Sequence, residues 1–103
     1  MIFEIRTYQL KPGTVPNAVQ AFADKIQNRV KLSPLAGFWH TEVGELNKVV
    51  HLWAYESLDE RARRRAELWA DAEWLAYAAE VGPLVVDQAN QILTPAPFFK
   101  LRR

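Results

Sequence analysis

Residues 47–57 read NKVVHLWAYES, and the alternation inside this stretch decides the fold. As a strand, it sets His51, Trp53 and Tyr55 on one face and Val50, Leu52 and Ala54 on the other, because successive side chains point to opposite sides. One face is purely apolar, and its opposite carries an imidazole, an indole and a phenol. Neither is a face to leave in water. The polar-aromatic face either walls a cavity or forms the buried seam of a subunit contact.

Immediately upstream, Gly44 to Asn47 supply turn chemistry, and 36–43, AGFWHTEV, reads as a preceding strand, so that a hairpin joins it to Lys48–Tyr55. Immediately downstream, Ser57-Leu58-Asp59-Glu60 is a capping box that opens a helix. Leu58, Ala62, Ala66 and Trp69 share one side of that helix, with Arg61, Arg63, Arg64 and Arg65 mostly off it. That arginine run beside Glu60, Glu67 and Asp71 reads as a solvated, mixed-charge surface. Asp71 looks like a second cap, so the helix is expected to break near 70–72, restart through Trp74, Tyr77 and Ala78, and stop at Gly82-Pro83.

The two ends complete the pattern. Residues 2–10, IFEIRTYQL, alternate as a strand that Pro12-Gly13 ends. Thr14 is a candidate cap with Pro16 in the first turn, and Val15, Val19, Phe22, Ile26 and Val30 recur at helical spacing until Pro34. Residues 85–94 make a weaker fourth strand, and Pro95 and Pro97 end regular order at the start of a tail, 95–103, that is expected to be extended and closes on basic residues. The order β-α-β-β-α-β over one domain, 1–103, is the ferredoxin-like α+β plan: a four-stranded antiparallel sheet with its helices on one face.

In this plan Phe3 and Ile5 are expected to meet the helices, together with Trp39, Thr41 and Val43. A turn centred between Glu45 and Leu46 would pair His40 with His51 and Phe38 with Trp53. A turn one residue different would exchange the two sets and bring Trp39 rather than His40 inward. The first register keeps His40 and Glu42 out of the helix-side core, where unpaired polar groups are costly. The face away from the helices then holds Glu4, Arg6, Tyr8, Phe38, His40, Glu42, His51, Trp53 and Tyr55. So apolar a face is unusual on a monomer, and a second copy is the expected cover: a homodimer with sheets face to face.

Aromatic walls with a few convergent polar groups describe a ligand cavity, here for a small apolar or aromatic molecule. His51 is the candidate general base and Arg6 the candidate group for fixing an anionic or enolate oxygen, with Glu4, Tyr8, Phe38, His40, Glu42, Trp53 and Tyr55 as the pocket. Duller readings stand beside these: His51 bonded to Glu4 or to a partner within a polar seam, Arg6 in a structural ion pair with Glu4 or Glu42, and Trp69, Trp74 and Tyr77 as plain packing.

Thirteen Lys and Arg against twelve Asp and Glu give a net charge of +1, which argues against nucleic acid. With no cysteine, disulfides and thiolate sites are excluded. No zinc, phosphate-loop or nucleophile-elbow motif occurs, and no cofactor or metal is expected. No apolar run approaches the roughly 20 residues of a membrane span. Glu4 and Arg6 interrupt any signal-peptide core, so a cytoplasmic location is expected.

The stretches FEIRTYQLKPG (3–13), GFWHTEVGELNKVVHLWAYESLDERARRRAEL (37–68) and QILTPAPF (91–98) resemble the NIPSNAP family. The resemblance spans almost the whole chain and implies a dimeric α+β barrel. The wider superfamily of such barrels includes cofactor-independent monooxygenases and isomerases. Arg6, Tyr8, His51, Trp53 and Tyr55 match family motif positions, yet the resemblance carries no catalytic assignment to them. A non-catalytic interaction module remains the alternative to a ligand-binding or enzymatic barrel.

Overall fold

A computed structural model describes residues 1–32 and 34–99, with side chains for all of these except 26–29, 31 and 32. The chain runs β1 (Ile2–Leu10), α1 (Val15–Leu32), β2 (Leu35–His40), β3 (Lys48–Tyr55), α2 (Leu58–Leu68), α3 (Ala72–Val81), a single 3-10 turn (Gly82–Leu84) and β4 (Val85–Leu93). The sheet order is β2-β3-β1-β4 and every pairing is antiparallel. This is the ferredoxin-like α+β fold read from the sequence.

Local chemistry accounts for the boundaries. Gly13 takes φ +81°, a left-handed conformation that ends β1 cheaply only with glycine. Thr14 precedes α1, but its hydroxyl donates to the Lys11 carbonyl at 2.6 Å and does not cap the helix. Ser57 Oγ accepts from the Glu60 N–H at 3.1 Å, while Glu60 Oε2 reaches past Ser57 to the Glu56 N–H at 3.2 Å. Asp71 Oδ1 accepts from the Trp74 N–H at 3.0 Å, so a new cap divides α2 from α3 where the sequence placed the break.

The hairpin departs from expectation in length. β2 stops at His40, and the connection runs through 41–47. Phe38 therefore pairs with His51 and His40 with Val49, a shift of two residues that leaves Phe38 and His40 on the His51 side. An irregularity between Leu35 and Gly37 absorbs the mismatch at the start of β2.

The larger correction concerns which face the helices cover. Phe22 of α1 packs on Trp53 and Tyr55, and Ala18 and Ala21 cluster with Leu10 and Val49. The helices thus lie on the face of Glu4, Arg6, Tyr8, His51, Trp53 and Tyr55, not on that of Phe3 and Ile5. Trp39 accordingly faces away from them and is 53% exposed. The physical reason is volume: Trp53, Tyr55 and Leu10, each at most 1% exposed, remove far more apolar surface from water than Ile5 and Val50 could. The polar groups on that face are tolerated because they are paired.

Helix α2 is turned over as well. Leu58, Ala62 and Ala66 form its exposed side, whereas Leu68 is buried, Arg61, Arg64 and Arg65 are half-buried, and Trp69, just past the helix, is exposed in part and borders the chamber described below. Helix α3 supplies the apolar cover in its place, through Trp74, Tyr77 and Val81. On α1, Val30 is exposed; the side chain of Ile26 and the basic tail from Lys100 onward lie outside the described residues. No helix among the described residues is long and apolar enough to cross a membrane.

Candidate functional site

Between the sheet and the helix layer lies a chamber of about 340 Å³. Arg6, Tyr8, Phe38 and His51 form its sheet wall, and Trp74 and Tyr77 of α3 close it from above. The wall has a definite order, because adjacent strands β1, β3 and β2 each contribute one ring. Tyr8 and His51 stack with centroids 5.2 Å apart and planes at 8°, and His51 and Phe38 stack with the same separation and angle. The imidazole is held flat between two aromatic faces.

Its edge is fixed by a hydrogen bond. Trp53, fully buried, turns its indole at 89° to the imidazole, and its Nε1–H donates to His51 Nδ1 at 2.6 Å. An Nδ1 that accepts cannot carry a proton, so the ring's proton sits on Nε2. In this tautomer His51 offers a proton at Nε2; to act there as a general base, it would first have to pass that proton on. The alternation of NKVVHLWAYES is what makes this pair possible: residues two apart on a strand share a face.

Beside the wall, on the same face of the sheet, is a buried ionic cluster. Glu4 has no exposure, and its Oε2 accepts from Arg61 Nη2 at 2.7 Å, Asn90 Nδ2 at 2.8 Å and Arg6 Nη1 at 3.1 Å. Glu4 Oε1 is buried with no hydrogen-bond partner among the described residues. Burial pushes this carboxyl upward, but the hydrogen bonds from Arg61 and Asn90 and the charges of Arg6 and Arg61 outweigh it, lowering its pKa from 4.5 to about 2. Glu4 is an anion at neutral pH. It ties β1 to β4 through Asn90 and to α2 through Arg61, which explains why α2 turns arginines inward. Arg6 in turn donates from Nε to the Tyr8 hydroxyl at 2.7 Å, so the Tyr8 proton is directed elsewhere.

The structure brings most of the sequence candidates together. His51, Arg6, Tyr8 and Phe38 line the chamber; Glu4, Trp53 and Tyr55 are wholly buried beside that lining on the same face of the sheet. His40 and Glu42 do not belong to it: both are exposed, His40 at the end of β2 and Glu42 in the long connection. Their placement in the pocket rested on a short turn that the chain does not make. Arg65, Trp69, Gln88, Trp74 and Tyr77 also line the chamber, although none of them is a site candidate on the sequence alone. Arg65 was legible in principle, since it lies four residues from Arg61 and so on the same side of α2. Among the described residues, no group of three His, Cys, Asp or Glu side chains could hold a metal ion.

Fold and site together define a ferredoxin-like α+β domain with an aromatic, arginine-bearing chamber between sheet and helices. Comparison with known proteins names the family. A family model described as NIPSNAP matches residues 3–100, and the chain belongs to the NIPSNAP family. It is 37% identical over 103 residues to the human protein NipSnap homolog 3B, covering 98% of this chain and 42% of that one. It thus spans less than half the length of this curated relative. A crystal structure of the Agrobacterium tumefaciens protein Atu4242 superposes with a TM-score of 0.94 at 40% identity, covering 99% of this chain and all of that one. A structure titled antibiotic biosynthesis monooxygenase matches with a TM-score of 0.69 at 8% identity, covering 94% of this chain and 100% of that one, which shows a shared fold alone.

Proposed function

We propose that this chain is a small-molecule-binding domain that takes a small apolar or aromatic ligand in the chamber and works as a homodimer. The observation that carries this is the stacked Tyr8–His51–Phe38 wall facing about 340 Å³ of space, a volume within the usual range for ligand sites. The parts suit a reaction that passes through an enolate, as in isomerases and cofactor-independent monooxygenases. His51 Nε2–H, the Tyr8 hydroxyl and Arg6 are donors able to stabilise such an oxygen. A cytoplasmic setting belongs to the same reading.

The dimer is argued from the other face of the sheet. There Ile5, Val50 and Leu52 are half-buried, and Trp39 and Leu93 are exposed. An open apolar face of this kind fits closure by a second sheet. A second reading, a protein-interaction module, draws on one observation, the exposed side of α2 with Leu58, Ala62 and Ala66. Native mass spectrometry of the purified protein tests the main proposal. The expected result is a dimer carrying a bound small molecule, with His51→Ala losing the adduct and keeping the dimer. A monomer at micromolar concentration would refute the dimer. A wild-type protein that neither carries nor takes up any planar ligand would leave the interaction module as the better account.

A further inference from the structure

We infer that Trp53 is a positioning residue: it locks His51 as the neutral imidazole with its proton on Nε2, leaving the ring no nitrogen at which to act as a base. This goes beyond the small-molecule reading and does not depend on it, since it concerns the chemical state of the ring with or without a ligand.

The stacks and the hydrogen bond fix different things. Tyr8 and Phe38, each at 8° to the imidazole with centroids 5.2 Å away, fix the plane of the ring. They do not fix which edge faces which way, because a half-turn about Cβ–Cγ leaves the ring in that plane. Only the contact at its edge distinguishes the two orientations. Trp53 meets that edge at 89°, and its Nε1–H reaches Nδ1 at 2.6 Å. After a half-turn the indole N–H would face the ring's Cδ2–H, a donor against a hydrogen. Trp53 is fully buried and packs against Phe22 with centroids 6.2 Å apart, so the indole has no room to swing away.

The choice of tryptophan matters, because an indole N–H donates and cannot accept. A hydroxyl could turn to suit either tautomer or the cation; Trp53 can meet only an unprotonated nitrogen. An imidazolium carries a proton on both nitrogens, so charging His51 sets two donors against each other and loses the bond. Burial acts in the same direction, since His51 is 7% exposed. Neighbouring cations add to it. Arg6 stands directly across from His51 on β1, and Arg65 is the charged group that α2 brings to the chamber lining. Glu4, also on β1, acts the other way, but its carboxylate is already met by Arg6, Arg61 and Asn90. Among the described residues, β2, α1, α3 and β4 bring no charged side chain to the lining; Tyr77 of α3 and the stacked Tyr8 of β1 are the remaining titratable groups there. The lock concerns Nδ1 and holds whichever group Nε2–H meets. While it stands, neither nitrogen can take up a proton.

Nitrogen-15 NMR of the labelled full chain tests this, and assignment is simple because the chain has two histidines, His40 and His51. His40→Gln, at the exposed end of β2, identifies the other set of signals. His51 should show one protonated nitrogen, Nε2, and a scalar coupling should join its Nδ1 to Trp53 Nε1 across the hydrogen bond. At about pH 5 an ordinary imidazole is roughly thirtyfold more charged than neutral, whereas His51 should remain more neutral than charged. Trp53→Phe keeps a buried ring and removes the donor. In that variant His51 should become a mixture of both tautomers and should charge at a higher pH than in the wild type. A wild-type ring protonated on Nδ1, one without coupling to Trp53, or one mostly charged at about pH 5 overturns the inference. These three readouts come from the wild type and stand even if Trp53→Phe does not fold. A folded Trp53→Phe protein in which His51 is still wholly Nε2–H and titrates as before overturns the role of Trp53.

Discussion

On the helix side of the sheet Glu4 is fully buried, ionised and held by three hydrogen bonds; one residue along, Ile5 points to the other side and remains half-exposed. The polar residue is inside and the apolar one is outside. The two faces differ in what completes them. The helix-side face is completed within the chain, because α2 and β4 send Arg61 and Asn90 to the carboxylate. The open face is covered within the described chain only at one end, where Phe3 and Ala54 are buried; Ile5, Val50 and Leu52 stay half-exposed and Trp39 is exposed. Polarity is therefore a poor guide to the inside when partners are available, and apolarity alone does not decide which face the helices cover.

The strongest way to break this contrast is Glu4→Ala. Removing one partner of a buried ion pair leaves Arg6 and Arg61 facing each other without the carboxylate, and a loss of about 3–5 kcal/mol is expected in urea unfolding. Ile5→Ala, one residue along on the half-exposed face, should cost much less. A loss for Glu4→Ala no greater than for Ile5→Ala would remove the asymmetry.

The next test uses pH. Glu4 is lowered in the folded chain from 4.5 to about 2, so its contribution is complete above pH 4.5 and is lost as pH falls toward 2. The wild-type protein should lose stability on the order of 3 kcal/mol from this group across that window. Glu4→Gln should be less stable at pH 7 and flatter between pH 4.5 and 2. Parallel urea-midpoint curves for the two proteins would show that Glu4 does not carry the acid sensitivity.

The smallest effect on stability is expected on the open face. Gly37 leaves room for the Trp39 ring, with which any added Cβ would collide, so the indole lies over β2 in a prepared position. Trp39→Ala should change monomer stability by about 0.5 kcal/mol or less, as exposed substitutions do, while weakening the dimer measurably in light scattering. A dimer unchanged by this substitution would move the subunit contact elsewhere.

Much of this was legible from side-chain spacing. The strands around Glu4 and His51, the break at Asp71, the stop at Gly82-Pro83 and the common face of Arg6, Tyr8, His51 and Trp53 follow from period, caps and pairing alone. The position of His40 was not, because register depended on a connection that proved longer than a tight turn. Arg65 does not stand out in the sequence because an arginine-rich helix face is ordinarily wet. Here a buried carboxylate draws that face inward, and only the pairing of Arg61 with Glu4 reveals it.

The sequence by itself determined the order of elements, the caps at Ser57 and Asp71 and which residues stand together on each face of the sheet. Those are local matters of dihedral preference, capping and a two-residue period. The tertiary structure decided which face the helices cover and which side of α2 looks inward. Both choices depend on sums over distant residues: the volume of Trp53, Tyr55 and Phe22 packed together, and the charge of Glu4 met by arginines from two elements. A pattern along the chain cannot express those sums, since each term becomes available only once the elements have met.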